Sequence, residues 1–482
     1  MFLRFLLCIM LLSSIHRIKA QQTIFIKNVN IIDVEKGKLI SDQHVIIRDS
    51  MISAIISGKK MLKIKADTVI DGKGRYLIPG LWDMHTHTWN ESTTFPLLLA
   101  NGVTGIRAMF DDINNVNRWR QNISSGKMIG PQINAAGPIV DGPKPVWPGS
   151  VAVKDETGGR KIVDSLKNQL KVDFVKVYSL LGRVHYFAIA DECNKLNIPF
   201  AGHVPNEVTV LEAAKAGQKS QEHLYGLLEI ASDSADHWYA YQQGKIKDSS
   251  FSTRAKRKEF LFRTYNENKL KMVLKEIKKT GTWICPTLTV NHGIAYVNDT
   301  TLLNDDRMQY VGRFMRDFWD YRKDFRFRTW TAQDFEQSRQ EFEMKLKFVQ
   351  LIHKAGIPII AGTDYPNPHC YPGFGIHDEM EWLVKAGLSP AEALKTATFN
   401  PAKYLQQTEK NGTIAVNKFA NLVLLNKNPL ENISHTKTIE MVFVKGKPLT
   451  SVQLQNMLDI VKKMVAATKQ ETSPMGMHIE GK

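Results

Sequence analysis

Between residues 77 and 362 one pattern recurs: a short apolar segment followed by a longer stretch of helical period. Eight segments have strand character: 77–84, 103–109, 132–137, 173–178, 198–202, 219–223, 282–288 and 357–362. Most of the gaps hold helix-period sequence such as "RVHYFAIADECNKLN" or "NEVTVLEAAKAG". Strands that alternate with helices lie parallel, because each helix carries the chain back to start the next strand in the same direction. Eight such units predict an α/β fold, a (β/α)8 TIM barrel. The segments 132–137 and 219–223 are the most polar of the set.

The flanks differ. Residues 23–76 and 412–449 are short Ile- and Val-rich runs broken by Asp, Gly and Lys, which is β composition. The expected organisation is a signal segment over 1–20 and a first β part over 23–76. The barrel follows over 77–410, then a second β part over 411–450, and a C-terminal helix with a disordered tail over 451–482. Two insertions interrupt the barrel, one between the sixth and seventh strands and one over 289–356. The second contains "RMQYVGRFMRDFWDYRKDFRFR", 307–328, in which seven basic residues alternate with seven aromatic ones. Basic–aromatic alternation can serve single-stranded nucleic acid or a membrane surface. No nucleic-acid motif accompanies it, so a helical lid or outer-ring helix with its rings turned inward is expected.

A hydrophobic content of 43% and a charged content of 23% are those of a globular protein with a sizeable core. The net charge of +16 is compatible with an anionic partner but says nothing of fold. "MFLR", the apolar run "FLLCIMLLSSI" and "IKA" before Gln21 make a signal-peptide pattern. A secreted or periplasmic protein is expected, with no membrane contact beyond the export signal. His16, Arg17 and Lys19 keep a retained membrane anchor as the alternative. Of the four cysteines, Cys193, Cys285 and Cys370 lie beyond this segment without paired spacing and are expected to be core thiols.

In such a barrel, chemistry sits at the C-terminal ends of the strands. The first strand runs into His85 and His87, which share one face because alternate residues of a strand do. The fourth carries Lys176, the fifth ends at His203, the sixth at His223 and the eighth at Asp364. Singly, each has an ordinary explanation: a core histidine, an ion-paired lysine, a capping aspartate. Together, four imidazoles, an amine and a carboxylate at five strand ends are a metal-ligand inventory.

The segments "IPGLWDMHTH", "NGVTGIRAM", "VDFVKVYS", "AGHVPNEVTVLEAAKAGQKSQEH", "CPTL", "AGTDYPNP", "GLSPAEALKTATFNPAKYL" and "GTIAVNKFANLVLLNKNPLENI" resemble the amidohydrolase superfamily, in its imidazolonepropionase-like and prolidase-like branch. The resemblance implies a metal-bearing barrel with a small β-sandwich built from both chain ends. It implies two divalent ions, zinc or alternatively manganese. His85, His87 and Asp364 would hold the first, and His203 and His223 the second, with carbamylated Lys176 bridging them. It also implies that a shared hydroxide attacks the substrate and that Asp364 relays its proton. Two departures stand out. Relatives often read "VRDMG" where this chain has "IRAMFD", 106–111, and many carry a histidine in the loop that reads "VDGPKPVWPGS" here. Both loops face the pocket, which leaves the substrate open. Tyr178 shares a face with Lys176 and could touch substrate or only pack. Arg107 could bind a substrate carboxylate or close an inter-strand ion pair. His292, His369 and His377 receive no role.

The expected activity is cleavage of a C–N amide bond in a small molecule: a dipeptide such as Xaa-Pro, an N-acyl amino acid or a cyclic amide. The alternatives are a one-metal deaminase on the same barrel and a binding protein that retains the fold without catalysis. No nucleic-acid partner is expected, and a homo-oligomer is compatible with the sequence.

Overall fold

The computed structural model describes residues 22–58 and 64–468. The segment expected to be a signal, and the tail after Thr468, lie outside the described residues. The two chain ends meet in one continuous seven-stranded sheet. Its order is Lys447–Thr450, Ile439–Val444, Leu422–Leu425, Thr68–Pro79, Thr23–Asp33, Lys38–Arg48 and Met51–Ser57. The seam joins Leu422–Leu425 antiparallel to Tyr76–Pro79. Period-two alternation then assigns each strand two cores. Leu422 and Leu424 pack with Ile24, Ile26, Val45 and Ile47 inside the sheet unit. Val423 and Leu425, on the opposite face, belong to the main barrel core.

The barrel strands are short: Leu81–Thr86, Val103–Ala108, Gln132–Ala135, Val175–Val177, Phe200–Gly202, Ser220–Glu222 and Trp283–Cys285. The eighth segment contributes through bridges, Ile284 to Ile359 and Thr86 to Tyr365. Backbone hydrogen bonds run round the ring. Asp173 N–H donates to Ala135 O between the third and fourth strands, Ile360 to Ile284 O between the seventh and eighth, and Met84 to Ala361 O between the first and eighth. The α/β barrel with its accessory β unit is therefore as expected.

One expected strand divides. The segment 77–84 changes partners at Gly80: Gly80 N–H donates to Asn421 O in the flanking sheet, and Leu81 N–H to Gly102 O in the barrel. Leu77–Pro79 thus completes a sheet strand, and only Leu81–Thr86 enters the barrel. A side chain at Gly80 would meet Thr104 Oγ1 at 2.1 Å, so the crossing needs glycine.

The region 307–328 is not one helix. It forms a 3-10 turn, Asp306–Tyr310, a short helix, Arg313–Trp319, and turns beyond. Phe318 and Trp319 are buried against Tyr371, Trp89 and Trp147, so rings do turn inward, although Phe325 is exposed. Among the described residues no helix is long and apolar enough to cross a membrane. Cys193, Cys285 and Cys370 are buried and free.

Gly202, at the end of the fifth strand, has φ +133°, and a Cβ there would lie 2.2 Å from Val177 O and 3.0 Å from Lys176 Cδ. Gly202→Ala is expected to lower stability by about 1–3 kcal/mol, the usual cost of a residue forced into such a conformation. Equilibrium urea denaturation against the unsubstituted protein measures it.

Candidate metal centre

The strand ends deliver their side chains to one point. His87 Nε2 lies 3.0 Å and His85 Nε2 3.3 Å from Asp364 Oδ1. Lys176 Nζ is 3.2 Å from His85 Nε2. The His223 ring centroid is 4.6 Å from that of His85 and 4.7 Å from that of His203. All six residues named from the strand ends are brought together. His223 and Asp364 adopt left-handed backbone, φ +66° and +63°. Non-glycine residues pay for that conformation, and it is concentrated where side chains must be aimed at a site.

Each imidazole is held from behind. His85 Nδ1 is 2.9 Å from Glu222 Oε2, His203 Nδ1 2.7 Å from Ser179 Oγ and His223 Nδ1 2.7 Å from Thr287 Oγ1. When Nδ1 carries the proton toward these oxygens, Nε2 keeps its lone pair for a cation. Glu222 is fixed in turn by Arg107, whose Nη2 donates to both carboxylate oxygens at 2.9 Å. Arg107 also donates to Met84 O, Ser220 Oγ and Tyr404 OH, and both residues are buried. The structure thus puts Arg107 in the inter-strand ion pair and not at the substrate cavity, because every face of its guanidinium is engaged beneath the centre. Asp83 ties the first strand to the eighth by accepting from His85 N–H, Thr363 N–H and Thr363 Oγ1.

Burial governs the charge states. It drives His85, His203 and His223 well below the ordinary histidine range, helped by the neighbouring Lys176. That favours the neutral form a metal ligand needs. Burial also lowers Lys176 to about 8, although Glu222 and Asp364 oppose it. Asp364 falls below its ordinary value because His223 and His87 outweigh its burial.

These residues fit a divalent ion. His85 Nε2 and Asp364 Oδ1 are lone-pair acceptors facing each other at 3.3 Å, which a cation reconciles. Donors about 2.0–2.1 Å from a tetrahedral zinc stand roughly 3.3 Å apart, close to the spacing of His85, His87 and Asp364. A second cluster, His85 with Glu222 and Cys285, does not fit. Glu222 is spent on Arg107 and His85, and burial holds the Cys285 thiol protonated.

The centre forms the floor of a cavity of about 510 Å³. Tyr178 lies on its wall, stacked 3.9 Å from the His203 ring with its hydroxyl accepting from Trp147 Nε1 at 2.7 Å. Trp147 comes from the loop that lacks the histidine, so a tryptophan contacts the wall there. Tyr225, not singled out in the sequence, also lines the cavity, its ring 5.1 Å from His223 and 5.2 Å from His203. Its place two residues after a strand-end histidine was the available signal. His377 is bonded to Thr436 and Asn101, His292 packs on Trp382, and His369 lies against Trp319. None of these joins the centre.

The sequence model of the amidohydrolase family matches residues 76–449, and the chain belongs to that family. Bottromycin amidohydrolase has a similar solved structure, with TM-score 0.71, 21% identity, and coverage of 92% of this chain and 90% of that one. A Xaa-Pro dipeptidase crystallised with methionine in its active site has TM-score 0.64 and 18% identity, covering 89% and 100%. An adenine deaminase of Desulforamulus reducens is 29% identical over 113 residues, 19% of this chain and 18% of its own length. The chain thus matches less than a fifth of that curated relative.

Glu222→Gln is expected to weaken metal binding by about 10- to 100-fold, the usual effect of losing a carboxylate behind a ligating histidine. Competition against a chelator of known affinity measures it.

Proposed function

We propose that the chain is a two-metal hydrolase of amide C–N bonds in small molecules, such as a Xaa-Pro dipeptide, an N-acyl amino acid or a cyclic amide. The observation that carries this is Lys176: a lysine 1% exposed, with its amine 3.2 Å from the His85 nitrogen and held among ligand side chains. An ammonium is an unfavourable neighbour for dications. A neutral amine can instead add CO2 with release of a proton, and Lys176 so modified would offer anionic oxygen donors to the ions. His85, His87 and Asp364 would hold one ion and His203 and His223 the other, zinc or manganese. Bound there, two ions would supply Lewis-acid polarisation of the scissile carbonyl and activation of a water.

The protein's own groups do the rest. Asp364 accepts the proton of the attacking water and returns it to the leaving nitrogen, as a carboxylate beside both reactants can. Burial raises the Tyr178 and Tyr225 phenols far above their ordinary range, so both stay protonated and able to donate to substrate. Phe318, Arg326 and Phe327 line the cavity. The local likeness to an adenine deaminase favours one rival, a one-metal reaction that expels ammonia. In that case Lys176 would have no bridging role. A non-catalytic protein would have no need of the complete ligand set.

Elemental analysis of purified protein is expected to find close to two divalent ions per chain. Lys176→Ala should lower that number and abolish turnover. One ion per chain, unaltered in Lys176→Ala along with activity, would refute the two-metal reading. Asp364→Asn keeps an oxygen for coordination but cannot take a proton. It should lower kcat by about 10²–10⁴, with metal content falling far less and KM changing little. Steady-state kinetics, on a substrate found by screening dipeptides, N-acyl amino acids and lactams, measures this.

A further inference from the structure

The two barrel insertions meet over the cavity and bring charge that the metal centre does not use. Lys258, on the helix Arg254–Arg263, and Lys345, on the helix Ala332–Ala355, both line it. They share one carboxylate: Glu341 is 2.8 Å from Lys258 Nζ and 3.4 Å from Lys345 Nζ. Lys345 also donates to the neutral Asn291 Oδ1 at 2.6 Å and stands 5.1 Å from the Tyr225 ring centroid. His203 and His223 also stand beside that ring. One aromatic ring is therefore close to both this ammonium and the candidate metal ligands.

At contact distance the two ammoniums have one carboxylate between them. The Lys258, Lys345 and Glu341 side chains are only 17%, 9% and 16% exposed, so two ammoniums and one carboxylate are largely removed from water. Buried charge is costly unless paired. Arg254 and Arg326, the other cations of the wall, have their own partners in Asp334 and Asp324. Glu229 lines the cavity too and its charge acts on Lys345 at longer range, although among the described residues no ion pair within 4.0 Å joins them. At contact distance the two ammoniums thus share one carboxylate, and they face a cavity wide enough for a small molecule. Trp89, Trp147 and Phe318 provide apolar wall for the rest of a ligand.

We propose that Lys345 and Lys258 are the subsite for a free carboxylate on the substrate. The substrates are then carboxylate-bearing amides, N-acyl amino acids or dipeptides, rather than neutral lactams. This rests on the amide-hydrolase reading, and it names the end of the substrate that the insertions recognise. Lys345 would gain a carboxylate in direct contact. Glu341 competes with the ligand for the same two ammoniums.

The test uses metal-loaded protein and titration calorimetry with L-phenylalanine and phenethylamine, which differ only in the carboxylate and contain no amide to cleave. L-Phenylalanine should bind at least tenfold more tightly. Lys345→Met should collapse that ratio toward one, and Lys345→Arg should restore it. Glu341→Gln should tighten L-phenylalanine binding, because it removes the competitor. A purely structural role for the cluster would weaken binding in that variant, so this arm stands even if Lys345→Met fails to fold. A ratio unchanged in both Lys345→Met and Lys258→Met would overturn the subsite and assign the preference to the metals. Kinetics separates the two readings. Equal turnover of N-acetyl-L-phenylalanine and its carboxamide would also overturn the subsite while leaving the hydrolase in place. Lys345-dependent binding without turnover of any amide would sustain the subsite and refute the hydrolase.

Discussion

The buried ion pair of Arg107 and Glu222 is the interaction on which the rest of the centre depends. It joins the second strand to the sixth, with two 2.9 Å hydrogen bonds in the buried interior. A charge pair at that depth recovers its desolvation only when every donor is used, and Met84, Ser220 and Tyr404 use the remainder. The pair has a direction as well as an energy. Glu222 holds the proton of His85 on Nδ1, and that decides which nitrogen faces Lys176 and Asp364. Loss of either charged partner would strand the other in the core, so the ligand geometry and the barrel's integrity are linked at one contact.

Above that contact the centre is built from restraints of the same kind. Ser179 and Thr287 orient His203 and His223 as Glu222 orients His85, through neutral hydroxyls instead of a carboxylate. The difference matches position: His85 is the most buried of the four imidazoles, and His203 opens onto the cavity. The strained backbone at His223 and Asp364 is compatible with this, because parallel strands that pair so briefly leave few regular positions from which a side chain can reach the axis.

The barrel and the six strand-end residues were legible because the information is local. Strand and helix periods differ, and a ligand at a strand end is marked by its place after an apolar run. Glu222 was not legible as a tuning group, since polarity inside "KSQEH" counted against a strand. Its burial is explained above all by Arg107, on the second strand and distant in sequence. The break at Gly80 was hidden for a related reason: Leu77–Pro79 and Leu81–Thr86 are both apolar and extended, and only their partners differ. The cavity wall was beyond reach because Lys258 and Lys345 lie in separate insertions, and no local pattern records that two helices meet. The single helix expected over 307–328 failed because its aromatic residues serve Trp89, Trp147 and Tyr371, which are not spaced as one helical face.

The seam between Tyr76–Pro79 and Leu422–Leu425 bears on how the molecule is made. The strand that delivers the chain into the barrel has one neighbour already synthesised, Thr23–Asp33, and another that leaves the ribosome only after the whole barrel has been translated. Until then Leu77 and Ile78 lack half of their cover, and the first barrel strand, with His85 and His87, hangs from an incomplete edge. Such long-range pairing forms late in folding. Exposed strand edges in partly formed intermediates are where chains of this size aggregate. Vectorial synthesis thus leaves the entry to the metal-bearing strand among the last parts of the architecture to be secured.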